Sequence, residues 1–279
     1  MDNDLNLSIA QVIKKYGLFD NRIRAKSFGQ HFLCDGTLLT KIVSCALPLG
    51  ESDILEIGPG PCGLTRAILN FAYGRQIVCI EKDQKLKPLH DNLLKYSGAN
   101  LRFIYDDALN VSLNDLDIDK ITVISNLPYN VGTKILLHLL KDLDKIQSMV
   151  LMFQKEVAER ICASPGSKDY GRLSVISQVL CHCEKCFDVS NRAFFPPPDV
   201  QSSVVKLTPK TNRPKDIKNL EKLTAICFQH RRKAIYTILK KAFPVFSQNI
   251  LDFCAIEKNT RPEQISVGKF FQLSNLLFE

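Results

Sequence analysis

The chain has 279 residues, 45% hydrophobic and 24% charged, with 37 basic against 29 acidic side chains for a net charge of +8. That length suits one large domain with a small companion; no apolar run approaches bilayer thickness, which excludes a membrane-spanning helix, and the basic balance suits a polyanionic partner. The opening residues Met1 to Asn6 are acidic and polar, unlike a signal or transit peptide, so a cytoplasmic protein is expected.

In chain order, Ile42 to Leu47 has a short helical pattern, and Asp53 to Ile57 reads as a buried strand running into a Gly/Pro-rich turn. Leu64 to Phe71 has helical spacing. Further strands are predicted at Gln76–Ile80, ending at Glu81; at Leu101–Tyr105, ending at Asp106 and Asp107; at Ile121–Ser125, ending at Asn126; and at Met149–Phe153. Strands alternating with helical stretches predict an α/β fold on a parallel sheet. Ligands of such sheets bind beyond the carboxyl ends of the strands, so Glu81, Asp107 and Asn126 are expected to converge on one crevice.

Leu173 to Val189 reads as an alternating strand. It contains Cys181-His-Cys-Glu-Lys-Cys186, but Cys-x-Cys-x-x-Cys lacks the paired spacing of a zinc site, and no metal is expected. The ten cysteines are expected as reduced thiols. Phe194 to Asp199 is Pro-rich, Val200 to Leu207 is another alternating strand, and Pro209 to Pro214 reads as a linker. From Asp216 only helices are predicted: Leu220–Phe243, Phe246–Phe253 and Pro262–Leu277. A boundary near Leu207 therefore separates an α/β domain, 1–207, from a helical domain, 208–279. The basic segment Lys206 to Lys241 includes His230-Arg-Arg-Lys233, which reads either as a solvated helix face or as a nucleic-acid surface.

Two loops carry chemistry. Glu56-Ile-Gly-Pro-Gly-Pro-Cys-Gly-Leu-Thr65 leaves a strand and opens a helix, where glycines let the backbone turn tightly and approach a ligand. It lacks GxGxxG spacing. Glu81 follows at the end of the next strand, where an acid accepts hydrogen bonds from a ribose diol, and Asp107 is placed to accept one from an adenine amino group. The second loop is Asn126-Leu-Pro-Tyr129. The exocyclic nitrogen of adenine is a poor nucleophile because its lone pair is conjugated with the ring. The Asn126 amide oxygen and the Leu127 carbonyl can accept its two protons, Pro128 stiffens the turn, and Tyr129 can stack on the base. The aligned nitrogen then attacks a sulfonium methyl in line, and the carbonyl dipoles stabilise the charge it gains.

Taken in order, these stretches are similar to the motifs of the ribosomal RNA adenine dimethyltransferase family, the KsgA/RsmA group of dimethyladenosine transferases. Lys26-Ser-Phe-Gly-Gln-His-Phe-Leu33 resembles its N-terminal motif. Glu56 to Thr65, Glu81, Asp107-Ala108 and Asn126 to Tyr129 match in order. Phe153 to Arg160, Tyr170 to Val175, Phe194-x-Pro-x-Pro-x-Val-x-Ser-x-Val204 and Phe228 to Lys233 follow, the last resembling the start of a basic C-terminal helix. The resemblance implies a Rossmann-like class I methyltransferase sheet with a small all-helical C-terminal domain contacting RNA or the ribosome. It implies S-adenosyl-L-methionine as cofactor, held by His31, Leu33, Gly58, Glu81, Asp107 and Asn126. Asn126, Leu127 and Tyr129 would handle the target amine, with Phe194 stacked on the other face of an extruded base. Arg231, Arg232 and Lys233 would contact RNA. The implied reaction places two methyl groups on each of two adjacent adenosines in the 3′-terminal hairpin of small-subunit (16S) ribosomal RNA, within a pre-assembled subunit, as part of small-subunit biogenesis. A monomer is expected. The sequence departs from the family pattern at His31, usually Asn, and at Cys62, commonly Gly. The alternatives are an Erm-type enzyme acting on large-subunit RNA and a noncatalytic ribosome-assembly or nucleic-acid-binding factor; the two intact loops favour catalysis.

Overall fold

Nine strands are seen in the computed structural model, which describes residues 4–18, 31–214, 216–243 and 246–278. They are β1 (Phe32–Leu33), β2 (Asp53–Ile57), β3 (Ile77–Glu81), β4 (Leu101–Tyr105), β5 (Ile121–Asn126), β6 (Ile146–Gln154), β7 (Cys181–Val189), β8 (Phe194–Phe195) and β9 (Ser202–Pro209). Seven form one sheet in the order β4-β3-β2-β5-β6-β9-β7, and β1 pairs with β8 apart from it. The run from β4 to β6 is parallel. The expected parallel sheet is thus mixed at one edge, because β9 returns antiparallel to β6.

β2, β3 and β5 are apolar on both faces: Ile54, Leu55, Ile77, Val78, Cys79, Ile121, Val123 and Ile124 are all at most 1% exposed. Two-sided burial is the signature of a central parallel strand. Chain order runs outward from β2 through β3 to β4 on one side, and through β5 to β6 on the other. The direction of winding reverses between β2 and β5, and the loops leaving their carboxyl ends must part there. This reversal brings the Gly58 loop and the Asn126 loop together: a Cβ added at Gly58 would lie 3.9 Å from the Pro128 ring.

The chain divides into two compact units. The first holds residues up to 158 and 184–208; the second holds 159–183 and everything from 209 onward. A single boundary near 207 therefore does not describe the division. Residues 159–183 join the C-terminal helices through shared burial: Tyr170, Val175 and Val179 pack with Leu223, Phe270 and Leu273, and the Tyr170 hydroxyl donates to the Ile265 carbonyl at 2.9 Å.

Three predicted elements differ; one of them, the helix expected over Pro262–Leu277, is a 3-10 turn, Pro262–Gln264, an extended Ile265, and then a helix, Val267–Phe278. The strand expected over Leu173–Val189 is a helix, Arg172–Leu180, followed by β7 from Cys181. Six of the helix's nine residues are buried, so no 3.6-residue period was visible, and its Val and Ile read as strand formers. The Gly171 N–H donates to the Ser174 hydroxyl at 3.0 Å and opens the helix. The helix expected over Leu220–Phe243 is two, Lys218–Gln229 and Ile235–Ala242. Ala234 is extended between them, and the Arg231 side chain reaches sideways to Glu263 at 2.7 Å. The run His230-Arg-Arg-Lys233 is therefore a turn, not the start of a basic helix. No helix among the described residues is long and apolar enough to cross a membrane.

Candidate active site

β2 ends the site's first wall. Glu56 is 1% exposed, and its Oε2 accepts the Thr65 hydroxyl at 2.6 Å and the Cys79 thiol at 3.7 Å. Burial is the largest influence on it and pushes its carboxyl up to about 8, against the pull of those two hydrogen bonds. Glu56 is thus a protonated internal brace between β2, β3 and the helix Gly63–Leu69. The loop beyond it needs glycine at Gly60, which has φ +54° and where a Cβ would come within 3.0 Å of the Phe32 ring. Cys62 also adopts a left-handed conformation, φ 62°, with a fully buried side chain. This explains why glycine suits that position. Burial holds the Cys62 thiol well above its usual range, which makes it packing rather than a nucleophile.

At the end of β3, Glu81 is held by two backbone donors. Gly60 N–H reaches Oε2 at 3.1 Å and Asp83 N–H reaches Oε1 at 2.8 Å. Burial raises this carboxyl, and the two N–H groups oppose the rise. Past β4, Asp107 accepts from Lys82 at 2.8 Å and from the Leu109 N–H at 3.0 Å, and these bonds hold its carboxyl below the ordinary range.

β5 delivers the reaction loop. The Asn126 amide nitrogen donates to the His31 carbonyl at 3.4 Å, which leaves the amide oxygen on the other side as an acceptor. Pro128 has no N–H to offer; its carbonyl takes the Gly132 N–H at 2.8 Å and turns the chain into the helix Gly132–Leu139. Among the described residues nothing donates to the Leu127 carbonyl. Leu127 as a whole is 1% exposed and lines a cavity with Asn126 and Tyr129. The Tyr129 hydroxyl bonds Ser202, and its ring lies 5.5 Å from the His31 ring at 28°. His31 Nδ1 is 2.9 Å from the Pro196 carbonyl; a carbonyl only accepts, so Nδ1 carries the proton.

Two cavities open on these residues. One is lined by Glu81, Asp107, Ala108, Val131 and Ile135, the other by His31, Phe32, Gly60, Asn126, Leu127 and Tyr129. Gly58, Glu81 and Pro128 line both. The three strand-end residues of the sequence reading thus stand around one pair of adjoining cavities. A third, smaller hollow takes in Leu33 with Phe32 and Asn126. The Lys26-to-Leu33 motif is described only from His31 onward; its earlier residues lie outside the described range.

Two expected residues are placed differently. Phe194 is 4% exposed and packs in the core with Leu33 and Val204, while its neighbour Phe195 is 50% exposed. The pairing of β8 with β1 sets this: Phe194 is opposite buried Leu33 and Phe195 opposite Phe32. Phe194 is therefore not a wall of either main cavity. In the second unit, Arg231 is engaged with Glu263 and with the Lys168 carbonyl at 3.1 Å, whereas Arg232 and Lys233 are exposed. Cys181 is buried and His182 beside it exposed, as neighbours on β7. Among the described residues no His, Cys, Asp or Glu group is arranged to hold a metal.

A sequence profile described as ribosomal RNA adenine dimethylase matches residues 21–279. The chain belongs to that family. The ribosomal RNA small subunit methyltransferase A of Paramagnetospirillum magneticum is 39% identical over 271 residues, 96% of this chain and 94% of that protein. The protein of the same name from Caulobacter vibrioides is 41% identical over 252 residues, 89% and 95% of the two chains. A dimethyladenosine transferase from Plasmodium falciparum superposes with a TM-score of 0.75 at 26% identity, over 87% of this chain and 96% of that one. The 23S rRNA methyltransferase ErmE shares the fold, with a TM-score of 0.66 at 22% identity over 89% of this chain and 100% of that one. As a ribosomal RNA adenine dimethylase the chain is a methyltransferase using S-adenosylmethionine. The cavities fit a nucleoside bearing a cation: a buried carboxylate at Glu81 suits a diol, Asp107 suits an amino group, and the space beside Gly60 would be closed by any Cβ.

Proposed function

We propose that this enzyme dimethylates the N6 amino groups of two adjacent adenosines in the 3′-terminal hairpin of small-subunit ribosomal RNA. It acts as a monomer on a pre-assembled subunit in the cytoplasm and contributes to subunit biogenesis. The observation that carries the reading is the pair of acceptors without donors at Asn126 and Leu127, beside a cavity that also reaches Glu81. Glu81 and Asp107 bind the nucleoside of S-adenosylmethionine, with the Gly58 loop beneath and His31 and Leu33 along the edge. When bound, that cofactor supplies a methyl group on a positively charged sulfur.

The remaining chemistry falls to the chain. The Asn126 Oδ1 and the Leu127 carbonyl accept the two N–H groups of the target adenine, which frees its lone pair and aims it. Tyr129 offers a flat face to the base once it is extruded. As the nitrogen becomes cationic, the same two carbonyl dipoles stabilise it without reorganising. The product loses its extra proton to water, so no general base is needed. The buried position of Phe194 supports a packing role under β1 in place of base stacking. Arg232 and Lys233, exposed in the second unit, are the cations available to RNA phosphates, and Arg231 braces their turn.

The test is transfer of labelled methyl from S-adenosylmethionine to undermethylated small subunits, with large subunits in parallel and nucleoside analysis after digestion. The expected product is N6-dimethyladenosine in the small subunit alone, lost with Asn126→Ala. Label in the large subunit instead would move the enzyme to the Erm type. Cofactor binding with no label in either would leave a noncatalytic assembly role.

A further inference from the structure

His90 takes no part in the chemistry above, yet it sits fully buried against the cofactor loop. It belongs to the helix Lys87–Ser97, between the apolar Leu89 and Leu93 of the buried face. Its Nε2 lies 2.9 Å from the Gly60 carbonyl oxygen, and its Nδ1 lies 2.9 Å from the Tyr105 hydroxyl. A carbonyl cannot donate, so Nε2 carries the proton. Burial is the largest influence on the ring and holds its titration near 4, so the imidazole is neutral, Nδ1 is a bare lone pair, and Tyr105 must donate to it. The ring also stacks on Phe103 at 4.2 Å and 7°. A buried imidazole is costly unless both nitrogens are satisfied; here both are, and one of them reaches a residue of the site.

That residue is Gly60. Its N–H donates to Glu81 Oε2 at 3.1 Å, its C=O accepts from His90, and the Phe32 ring closes the space above its Cα. The two peptide groups flanking Gly60 are thus fixed in turn by Glu81 and His90. A leucine would fill the helix face and leave the Gly60 carbonyl with only the Cys62 thiol, 3.8 Å away, as a donor.

We propose that His90 is a positioning residue for cofactor binding: by donating to the Gly60 carbonyl from a ring locked by Tyr105, it holds the Gly60 N–H on Glu81 and sets the carboxylate toward the ribose. This rests on the proposed role of Glu81 and the Gly58–Gly60 loop as cofactor contacts.

The test uses the full chain, calorimetric titration with S-adenosylhomocysteine, and steady-state methylation of small subunits at varied S-adenosylmethionine. Glu81→Gln serves as reference. His90→Phe keeps the stack on Phe103 and removes both polar atoms. It is expected to weaken binding roughly tenfold, the cost of one lost buried hydrogen bond. The KM for S-adenosylmethionine should rise in parallel while kcat at saturation stays within about twofold. His90→Gln, which can donate to Gly60 and accept from Tyr105, should recover most of the affinity. Where His90→Phe does not fold, His90→Met, unbranched and adaptable in packing, serves the same comparison. A folded His90→Phe or His90→Met that binds as the wild type does, while Glu81→Gln is weak, would overturn the inference and leave the site standing. Unchanged binding in Glu81→Gln would instead remove the assignment of Glu81. Loss of affinity in His90→Gln equal to that in His90→Phe would also overturn it, since donor chemistry would then be irrelevant.

Discussion

Replacing Glu56 by Gln should flatten the pH dependence of stability on the alkaline side of pH 5. In the fold this carboxyl titrates at about 8, against 4.5 when solvated. Between those values the unfolded chain has released a proton that the folded chain retains. A group raised in this way contributes its full share of stability below 4.5 and loses it as pH climbs through 8. The slope is about 1.4 kcal/mol per pH unit for one proton. From about pH 5.5 to pH 7.5 the wild type should lose roughly 3 kcal/mol through this group. A Gln at position 56 keeps an acceptor for the Thr65 hydroxyl and the Cys79 thiol but cannot ionise. Urea unfolding of both proteins across that range gives the two slopes. Glu81, also raised by burial, acts in the same direction in both, so the difference isolates Glu56. Parallel slopes would refute the reasoning and place an ionised carboxylate at position 56.

Asn126→Ala should lower kcat on the order of 10²–10³-fold, the cost of one preset dipole at a developing charge; single-turnover methylation with an unchanged melting curve is the check. Cys62→Gly removes a left-handed strain of about 1–2 kcal/mol and forfeits a buried thiol of similar worth. Stability should therefore move by no more than about 1 kcal/mol, and a denaturant midpoint shifted well beyond that counts against the reading of this turn. Arg232→Ala with Lys233→Ala should reduce the salt dependence of RNA binding by about two counterions' worth while leaving the melting curve alone. Arg231→Ala should do the reverse, loosening the turn it pins to Glu263, as differential hydrogen exchange over residues 228–236 would show.

Much of the α/β unit was legible because the central strands are mostly apolar runs that stop at a polar residue, Glu81 for β3 and Asn126 for β5, while Asp107 follows the edge strand β4. What escaped is where distant contacts decide. Arg172–Leu180 is buried on most sides, so its helical period is erased, and β-branched residues bias the reading toward strand. The break between Lys218–Gln229 and Ile235–Ala242 depends on Glu263, a partner far along the chain. Phe194 and Phe195 are chemically alike, and only the register against Phe32 and Leu33 tells which one is buried. His90 reads as one polar residue on an apolar helix face; its partners, Gly60 and Tyr105, come from two other elements.

The donor inventory of the proposed reaction cavity bears on which base it can accept. Asn126 commits one of its two amide N–H groups to the His31 carbonyl, Pro128 has none, and the Tyr129 hydroxyl is tied to Ser202. In the proposed reaction the groups offered to the base are two acceptors, Asn126 Oδ1 and the Leu127 carbonyl, of residues that line the cavity. An exocyclic amine satisfies two such acceptors; the carbonyl oxygen of guanine or uracil would meet them lone pair to lone pair and leave buried groups unpaired, a strong basis for rejection. After the first methyl transfer only one N–H remains, so one acceptor goes unused and the incoming methyl group must occupy its side. The second transfer therefore depends on fewer hydrogen bonds than the first. Asn126→Ser, with a shorter acceptor, should slow the first methylation more than the second, and the ratio of monomethyl to dimethyl product over a time course reads this directly. Accumulation of monomethyladenosine in that variant would argue against two equivalent acceptors.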